Sequence, residues 1–489
     1  MLLKDLLDGI EYRIISGNID KEIKGVHYDS RQVKPDSLFI CVKGFKTDGH
    51  NYIDQALANG AVAILAENEK KVDKDVTYII TSNTREAMAK IASNFYKKPS
   101  AFMRVIGVTG TNGKTTTTHL IQSILQEASH KTGILGTLYA RIDDYEKELG
   151  HTTPEALEIE EFVDLCREKK ADYVVMEVSS HALDLFRVKE IDYNVAVFTN
   201  LTQDHLDYHK NMEDYKNAKL KLFSMIPNRK ENFAIINNDD RYASDFIKAA
   251  NVQVVTYAVE NEADVKAYNL NITAEGTSFM VKYENIDFEI NMQLIGLFSV
   301  YNALAAIAFA LKEGISPEII KSALAKNSGV AGRFEQVKCG QDFTVIVDYA
   351  HTHDGLENIL KTARELTKKR LITVFGCGGD RDRTKRPLMG EVAARYSDFC
   401  VVTSDNPRSE DPKAIIDDII PGLLKVENSR YAVVVDRREA IRHAIYMAKP
   451  GDIVIIAGKG HETYQLIKDK VLEFDDRKVA AEFLKEIVK

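Results

Sequence analysis

Arg104-Val-Ile-Gly107-Val-Thr-Gly110-Thr-Asn-Gly113-Lys114-Thr115-Thr116 is the stretch that decides the fold. Its first six residues are an apolar run that reads as a buried strand, and His119–Ala128 beyond it reads as a helix. A strand emptying through a glycine-rich turn into a helix is the setting of a phosphate loop. Glycines let backbone N–H groups approach phosphate oxygens, and the helix N-terminus adds a favourable dipole. Lys114 is then placed to neutralise β/γ-phosphate charge and the Thr115 hydroxyl to bind Mg²⁺, with Gly110, Thr111, Asn112, Gly113 and Thr116 completing the loop. The spacing departs from the general pattern, because Val108 stands where its first glycine belongs and Gly107 lies one residue earlier. Alone, the loop specifies a nucleoside triphosphate; it does not choose among motor, switch and ligase.

Outward from the loop, further apolar runs alternate with helical ones. Tyr173–Val178, Val195–Thr199 and Phe233–Asn237 predict strands, and alanine-rich Asn302–Leu311 predicts a helix. Upstream, Ser37–Val42, Ala61–Ala66 and Thr77–Thr81 predict strands and Thr84–Tyr96 a helix. Downstream, strands are predicted at Thr344–Val347, Leu371–Phe375, Phe399–Thr403 and Ile453–Ile456. Glu260–Ile290 reads as an antiparallel excursion. The expected class is α/β in three domains, at residues 1–98, 99–329 and 330–489. The central one is a P-loop ATPase domain with a mostly parallel sheet, and the last is Rossmann-like. Polar motifs sit just after strands, where ligands of open α/β sheets bind.

A chain of 489 residues with 45% hydrophobic and 28% charged residues has ample material for cores of that number. Its net charge of −8 argues against a general nucleic-acid binder, so an anionic substrate needs a local basic patch. The five cysteines are scattered without a CxxC pair, which fits free thiols in a reducing cytosol. The N-terminus lacks a signal-peptide pattern, and no stretch is long and apolar enough to span a bilayer. A cytoplasmic monomer is expected.

Many further segments stand out, in order, along nearly the whole chain. They include Asp29-Ser30-Arg31, Thr152-Thr153-Pro154, Glu177-Val-Ser179-Ser180-His181 and Asn200-Leu-Thr-Gln-Asp204-His205-Leu-Asp207-Tyr-His209. Later come Tyr301-Asn302, Gly332-Arg333-Phe-Glu335, Asp348-Tyr-Ala-His351, Gly376-Cys-Gly-Gly-Asp380-Arg381, Asp405-Asn406-Pro407-Arg408 and Gly458-Lys459-Gly460-His461-Glu462. Together with the phosphate loop they resemble the Mur ligase family, which also includes the folylpolyglutamate synthases. The resemblance covers nearly the whole chain and is greatest to the branch that adds the third residue of the peptidoglycan stem peptide.

That resemblance implies a two-step reaction. ATP phosphorylates a carboxylate of UDP-N-acetylmuramoyl-L-alanyl-D-glutamate, and the amine of meso-diaminopimelate attacks the acyl phosphate to form an amide. Phosphoryl transfer between anions demands positioning and charge neutralisation. The family places Glu177 and His205 at Mg²⁺ with Thr115, and a carbamylated lysine at Lys219. A carbamate turns an ammonium into an anion with oxygens suited to a hard cation. Read without the family, Lys219 in the helical run Glu213–Phe223 is a surface lysine. Asn302, Arg333 and Asp348 are implied at the nucleotide, and an interdomain ion pair is the plainer reading of Arg333. The UDP-linked substrate falls to Ser30, Thr152, Thr153, Ser179 and Arg187. Two departures stand nearby, His151 where asparagine is usual and Leu185 where many relatives have glutamine.

Gly378 to Arg386 is a basic cluster following a strand and a glycine-rich turn, a setting for an anion. The resemblance gives Arg381 and Arg408 the carboxylates of the incoming amino acid, and Gly458 and Glu462 its ammonium end, with Asp405, Asn406 and Pro407 in the same motif. Rival readings are the same ligation with L-lysine, a folylpolyglutamate synthase, and a non-catalytic ATP-responsive interaction protein. The Asp405–Arg408 segment and the UDP-substrate motifs weigh against the second. The joint presence of Lys114, Glu177, His205 and Lys219 weighs against the third.

Overall fold

The structure, a computed structural model, describes residues 1–44, 47–73, 75–273, 275–367 and 369–488. Near the N-terminus five strands lie in the order Arg13–Ser16, Thr77–Ile80, Ala61–Ala66, Ser37–Ile40, Gly25–His27, parallel except for the first. The helix Thr84–Phe95 begins where Asn83 accepts hydrogen bonds from the N–H groups of Arg85 and Glu86, which satisfies two otherwise orphaned donors. It buries Ala87, Met88, Ile91 and Ala92 against Leu38, Ile40, Leu65 and Ile79.

The central sheet has eleven strands. Seven consecutive ones are parallel, in the order Val265–Ile272, Gln253–Ala258, Phe233–Asn237, Val195–Phe198, Arg104–Thr109, Tyr173–Glu177, Thr132–Leu135. The strand of the phosphate loop lies among them, buried on both faces as its unbroken apolar run requires. The antiparallel excursion extends this sheet: Val265–Ile272 pairs in parallel with Gln253–Ala258 and then antiparallel with Thr277–Tyr283, which pairs with Ile286–Met292. The helix Lys114–Glu127 starts at the loop itself, one turn earlier than its apolar periodicity predicts, because its first turn is four threonines after Lys114. It packs Leu120, Ile121, Ile124 and Leu125 in one core with Ala303, Leu304, Ile307 and Ala310 of the helix Leu297–Lys312.

The C-terminal sheet runs Glu335–Gln336, Thr344–Asp348, Ile453–Ala457, Leu371–Phe375, Phe399–Val402, Tyr431–Val433, antiparallel only at its first pair. A separate hairpin, Tyr464–Ile467 with Lys470–Glu473, follows the sheet. The functional motifs lie at the carboxyl ends of the parallel strands in both of the larger sheets. Among the described residues no helix is long and apolar enough to cross a membrane.

Candidate active site

The phosphate loop is built around two glycines that cannot be replaced without displacing neighbours. Gly113 has φ +87°, and a Cβ there would lie 2.3 Å from Asn302 Oδ1. A Cβ on Gly110 would lie 1.9 Å from the Thr199 hydroxyl. Asn302 therefore reaches the loop through the space left by Gly113, from the second turn of its helix. Thr111 N donates to Asn200 O at 2.8 Å and Asn112 N to Asn200 Oδ1 at 2.9 Å, so the neighbouring strand end holds the loop's shape. Thr116 is buried behind it in the first turn of the helix.

Lys114 Nζ donates to the carbonyls of Gly110 and Thr111, both at 2.8 Å. Burial pulls its pKa down, and Glu177 and Asp204 oppose that pull. The Thr115 hydroxyl donates to Glu177 Oε2 at 3.0 Å. Glu177, only 1% exposed, is braced by Thr137, whose N–H meets Oε1 at 2.8 Å and whose hydroxyl meets Oε2 at 3.1 Å. A hydroxyl and a carboxylate held together at a phosphate loop are hard oxygen donors of the kind Mg²⁺ takes.

Lys219 departs from its plain sequence reading. It is 1% exposed, and its Nζ donates to Gly110 O at 2.9 Å, the same carbonyl that Lys114 uses. Desolvation and then the like charge of Lys114 push its pKa well down. His205, in a left-handed conformation at φ +55°, sits 3.4 Å from Asp204 through Nε2. Burial lowers its pKa against the pull of Asp204, which leaves a neutral ring with a lone pair. His205 and Lys219 both lie against the ring of Tyr215, at 6.0 and 4.8 Å. Among the described residues no three His, Cys, Asp or Glu side chains form a ready-made metal cage.

Around the Thr152–Thr153 pair, the Thr153 hydroxyl donates to Glu177 O at 2.8 Å and accepts from Ser179 N at 3.1 Å. Thr152 and Thr137 hydroxyls meet at 3.2 Å, which links this pair to Glu177. Ser179 caps the short helix Ser180–Asp184. Arg187 is buried, with one nitrogen on Thr153 O at 2.9 Å and another 2.8 Å from Glu155, which also pairs with Arg85 at 3.0 Å. Ser30 lies apart from this group, buried and donating to Gln55 at 2.8 Å.

From the C-terminal segment, Arg333 Nη2 lies 3.3 Å from the Thr115 hydroxyl, its guanidinium stacked on Tyr349 at 4.6 Å. Its contact at the loop is thus with a hydroxyl. Asp348 accepts from Phe334 N at 2.6 Å and Ala350 N at 2.7 Å, which fixes the backbone on either side of Arg333's approach. Asp354 Oδ2 accepts from Asn112 Nδ2 and from the Thr202 hydroxyl, each at 2.8 Å.

The third cluster joins three loops. Gly379 packs so closely on Pro407 that a Cβ would lie 1.9 Å from the Pro407 carbonyl. Arg408, at φ +52°, donates through Nη1 to Gly379 O at 2.7 Å, and its backbone bridges to Ile467 of the hairpin. Burial and the like charge of Arg408 both lower the pKa of Arg381, so two guanidinium groups share one region. Arg383 and Arg386 do not join them: both pair with Asp418, and the buried Arg386 also pairs with Glu410. The basic cluster is therefore partly structural. Asp405 is 8% exposed, and its Oδ2 is buried without a hydrogen-bond partner beside Gly458, where a Cβ would lie 2.5 Å away. Asn406 Nδ2 donates to Glu462 Oε2 at 2.8 Å. Tyr464 feels the charges of Glu462, Arg408 and Asp405, and Tyr349 those of Glu462 and Asp405 while lying beside Arg381, so two acids and two arginines gather round two rings, a match to a zwitterion.

Sequence reasoning missed Thr137, Glu155, Asp354 and Arg437. Each acts by contact with a residue distant in sequence, and Arg437 pairs with Asp476 at 2.7 Å behind Asp405. Only their polarity beside a strand end or helix start marks them in the sequence.

Residues 22–96 match the family model described as the Mur ligase family catalytic domain, 108–310 the Mur ligase middle domain, and 332–460 the Mur ligase glutamate ligase domain. A protein of Syntrophomonas wolfei subsp. wolfei named UDP-N-acetylmuramoyl-L-alanyl-D-glutamate--2,6-diaminopimelate ligase is 63% identical over 489 residues, covering 100% of both chains. Its namesake in Caldanaerobacter subterraneus subsp. tengcongensis is 48% identical over 486 residues, covering 99% of each. A solved structure bearing the same enzyme name has a TM-score of 0.70 at 32% identity, covering 100% of this chain and 99% of the other. Matched by family models in all three of its parts and by relatives along its whole length, the chain belongs to the Mur ligase family.

Proposed function

We propose that the protein uses ATP to join meso-diaminopimelate to UDP-N-acetylmuramoyl-L-alanyl-D-glutamate, a step of peptidoglycan precursor synthesis. The observation that carries this reading is the gathering of Arg381, Arg408, Asp405 and Glu462 around the rings of Tyr349 and Tyr464. An amino acid with a second carboxylate at its far end needs a cation there, and Arg408 offers a planar fork matched to a carboxylate. The reading agrees with the names of the two whole-chain relatives.

In the first step a substrate carboxylate oxygen attacks the γ-phosphorus of ATP, the bond to the β,γ-bridging oxygen breaks, and ADP leaves. Lys114 and the loop N–H groups hold the phosphates in line. Arg333 stands next to Thr115, where charge shifts during transfer. Asn302 and the backbone fixed by Asp348 place the nucleotide. Mg²⁺, held by Thr115 and Glu177 with His205 and a carbamate on Lys219, would supply neutralising charge to the phosphate oxygens. In the second step the amine attacks the acyl carbon, and the carbon–oxygen bond breaks to release phosphate. Asp405 and Glu462 orient the ammonium end at which the nucleophilic amine arises. Thr152, Thr153, Ser179, Arg187 and, farther off, Ser30 hold the UDP-linked partner.

Incubation with ATP, Mg²⁺ and the UDP-dipeptide, offering each candidate amino acid, tests the reading by product mass. ADP, phosphate and the diaminopimelate adduct are expected. AMP and pyrophosphate would overturn the acyl-phosphate route, and an L-lysine adduct would overturn the choice of amino acid.

A further inference from the structure

Lys459 follows Gly458 at the end of the strand Ile453–Ala457 and is wholly buried. A buried ammonium is costly unless its donors are met, so its partners are informative. Its Nζ donates to Asn406 Oδ1 at 3.2 Å and to Glu462 Oε2 at 2.9 Å, and lies 5.6 Å from the centre of the Tyr464 ring. Asn406 Oδ1 also accepts from Leu466 N at 2.9 Å. With two donors on that oxygen, the amide cannot flip without turning its NH₂ group toward both. Nδ2 is thereby committed to Glu462 Oε2. That oxygen takes both protein donors, which leaves Oε1 on offer to a ligand; Asp405 Oδ2, which shares the field of Arg437 with Glu462, has no hydrogen bond and only the Arg437 guanidinium 3.9 Å away.

We propose that Lys459 is a positioning residue for the amino-acid substrate, fixing the Asn406 amide and pinning Glu462 so that Glu462 and Asp405 together receive the substrate ammonium. This rests on the pocket being the amino-acid site proposed above. Lys459 beside Glu462, with Arg437 3.9 Å from Asp405 Oδ2, sets positive charge beside two carboxylates that would otherwise repel each other. It touches no reacting atom, so its effect is on binding.

The test is steady-state kinetics of the full-length enzyme carrying Lys459→Met, Glu462→Gln, or both. Lys459→Met is expected to raise KM for diaminopimelate about tenfold or more, with kcat within about threefold and KM for ATP and UDP-dipeptide unchanged. A lysine that merely stabilised the fold would lower the active fraction, and so kcat, at constant KM. If Lys459 acts through Glu462, the double variant's KM for diaminopimelate should lie within about twofold of that of Glu462→Gln alone. This comparison holds even if Lys459→Met alone does not fold, because the double variant has no carboxylate at position 462 left without its ammonium. An unchanged diaminopimelate KM in Lys459→Met, or a double variant whose loss multiplies those of the single ones, overturns the proposal. An unchanged diaminopimelate KM in Glu462→Gln overturns the reading of the pocket and the proposal with it.

Discussion

The guanidinium at position 408 is tied to the backbone of Gly379 through one nitrogen, which leaves its remaining donors in a fixed orientation. A charge-assisted hydrogen bond contributes about 1.5–3 kcal/mol, a factor of about ten to a hundred in affinity. Arg408→Ala should therefore raise KM for meso-diaminopimelate by about that factor while leaving KM for ATP unchanged, as initial rates at varied substrate would reveal. It need not create lysine activity, because removing a charge does not build a lysine pocket. Diaminopimelate kinetics equal to wild type would remove Arg408 from the pocket. At this scale the sequence displays residue types well and partners poorly. Arg381, Arg383 and Arg386 read alike, yet Asp418 and Glu410 claim the last two. Lys219 reads as exposed because a mixed polar helix does not disclose which polar residue faces the sheet.

Elements were more legible. The strand Arg104–Thr109 ends where its apolar run ends, because every residue in it faces a covered side of a parallel sheet. Less visible was the joining of Val265–Ile272 to the main sheet, since half-polar alternation specifies a strand and not its neighbour. The turn at Gly113 combines a left-handed backbone, which costs a residue with a Cβ about 1–2 kcal/mol, with direct overlap on Asn302. Gly113→Ala should abolish ATP binding in calorimetry while the circular dichroism stays native; wild-type affinity would contradict the loop's role. In the helix Ala156–Glu168, Glu160 is 2% exposed with Oε2 lacking a partner, and burial raises its carboxyl pKa to about 8. The folded state then keeps a proton that the unfolded chain loses above about pH 4.5. Its contribution is complete below that pH and is lost as pH rises toward 8, on the order of 5 kcal/mol in all. Glu160→Gln should flatten the fall in stability across that window in urea titrations. A slope as steep as wild type would refute the assignment.

Across the whole molecule, the C-terminal part reaches the phosphate loop through Asp354 on Asn112 and Arg333 on Thr115. With the proposed substrates entering between these surfaces, the contacts would open and close with turnover. The stretch 327–332, with Gly329 at φ +101° and Gly332 at φ +66°, connects the two parts and can absorb the rotation. Solution scattering should record a smaller radius of gyration with an ATP analogue and UDP-dipeptide bound than without. Identical dimensions under saturating ligand would argue for a rigid enzyme. The three-part organisation was legible from alternating strand and helix runs. The contact of Asp354 with a residue 242 positions away was not, since an acid in a helix's first turn has a local explanation already.

Two amines on the single carbonyl of Gly110 repel if both are charged, and burial together with that like charge pulls the pKa of Lys219 well down, toward the neutral form that can act as a nucleophile. Such an amine adds to carbon dioxide, forming a nitrogen–carbon bond and releasing a proton, and the product reverts when the gas is withdrawn. With the carbamate that Mur ligases carry formed on Lys219, competence for catalysis would be a property of the dissolved gas as well as of the chain. Enzyme degassed and held under nitrogen should lose activity and recover it on addition of bicarbonate. Lys219→Ala should be nearly inactive under either atmosphere yet regain part of its rate with formate or acetate. Full activity after exhaustive degassing would show that the lysine works unmodified.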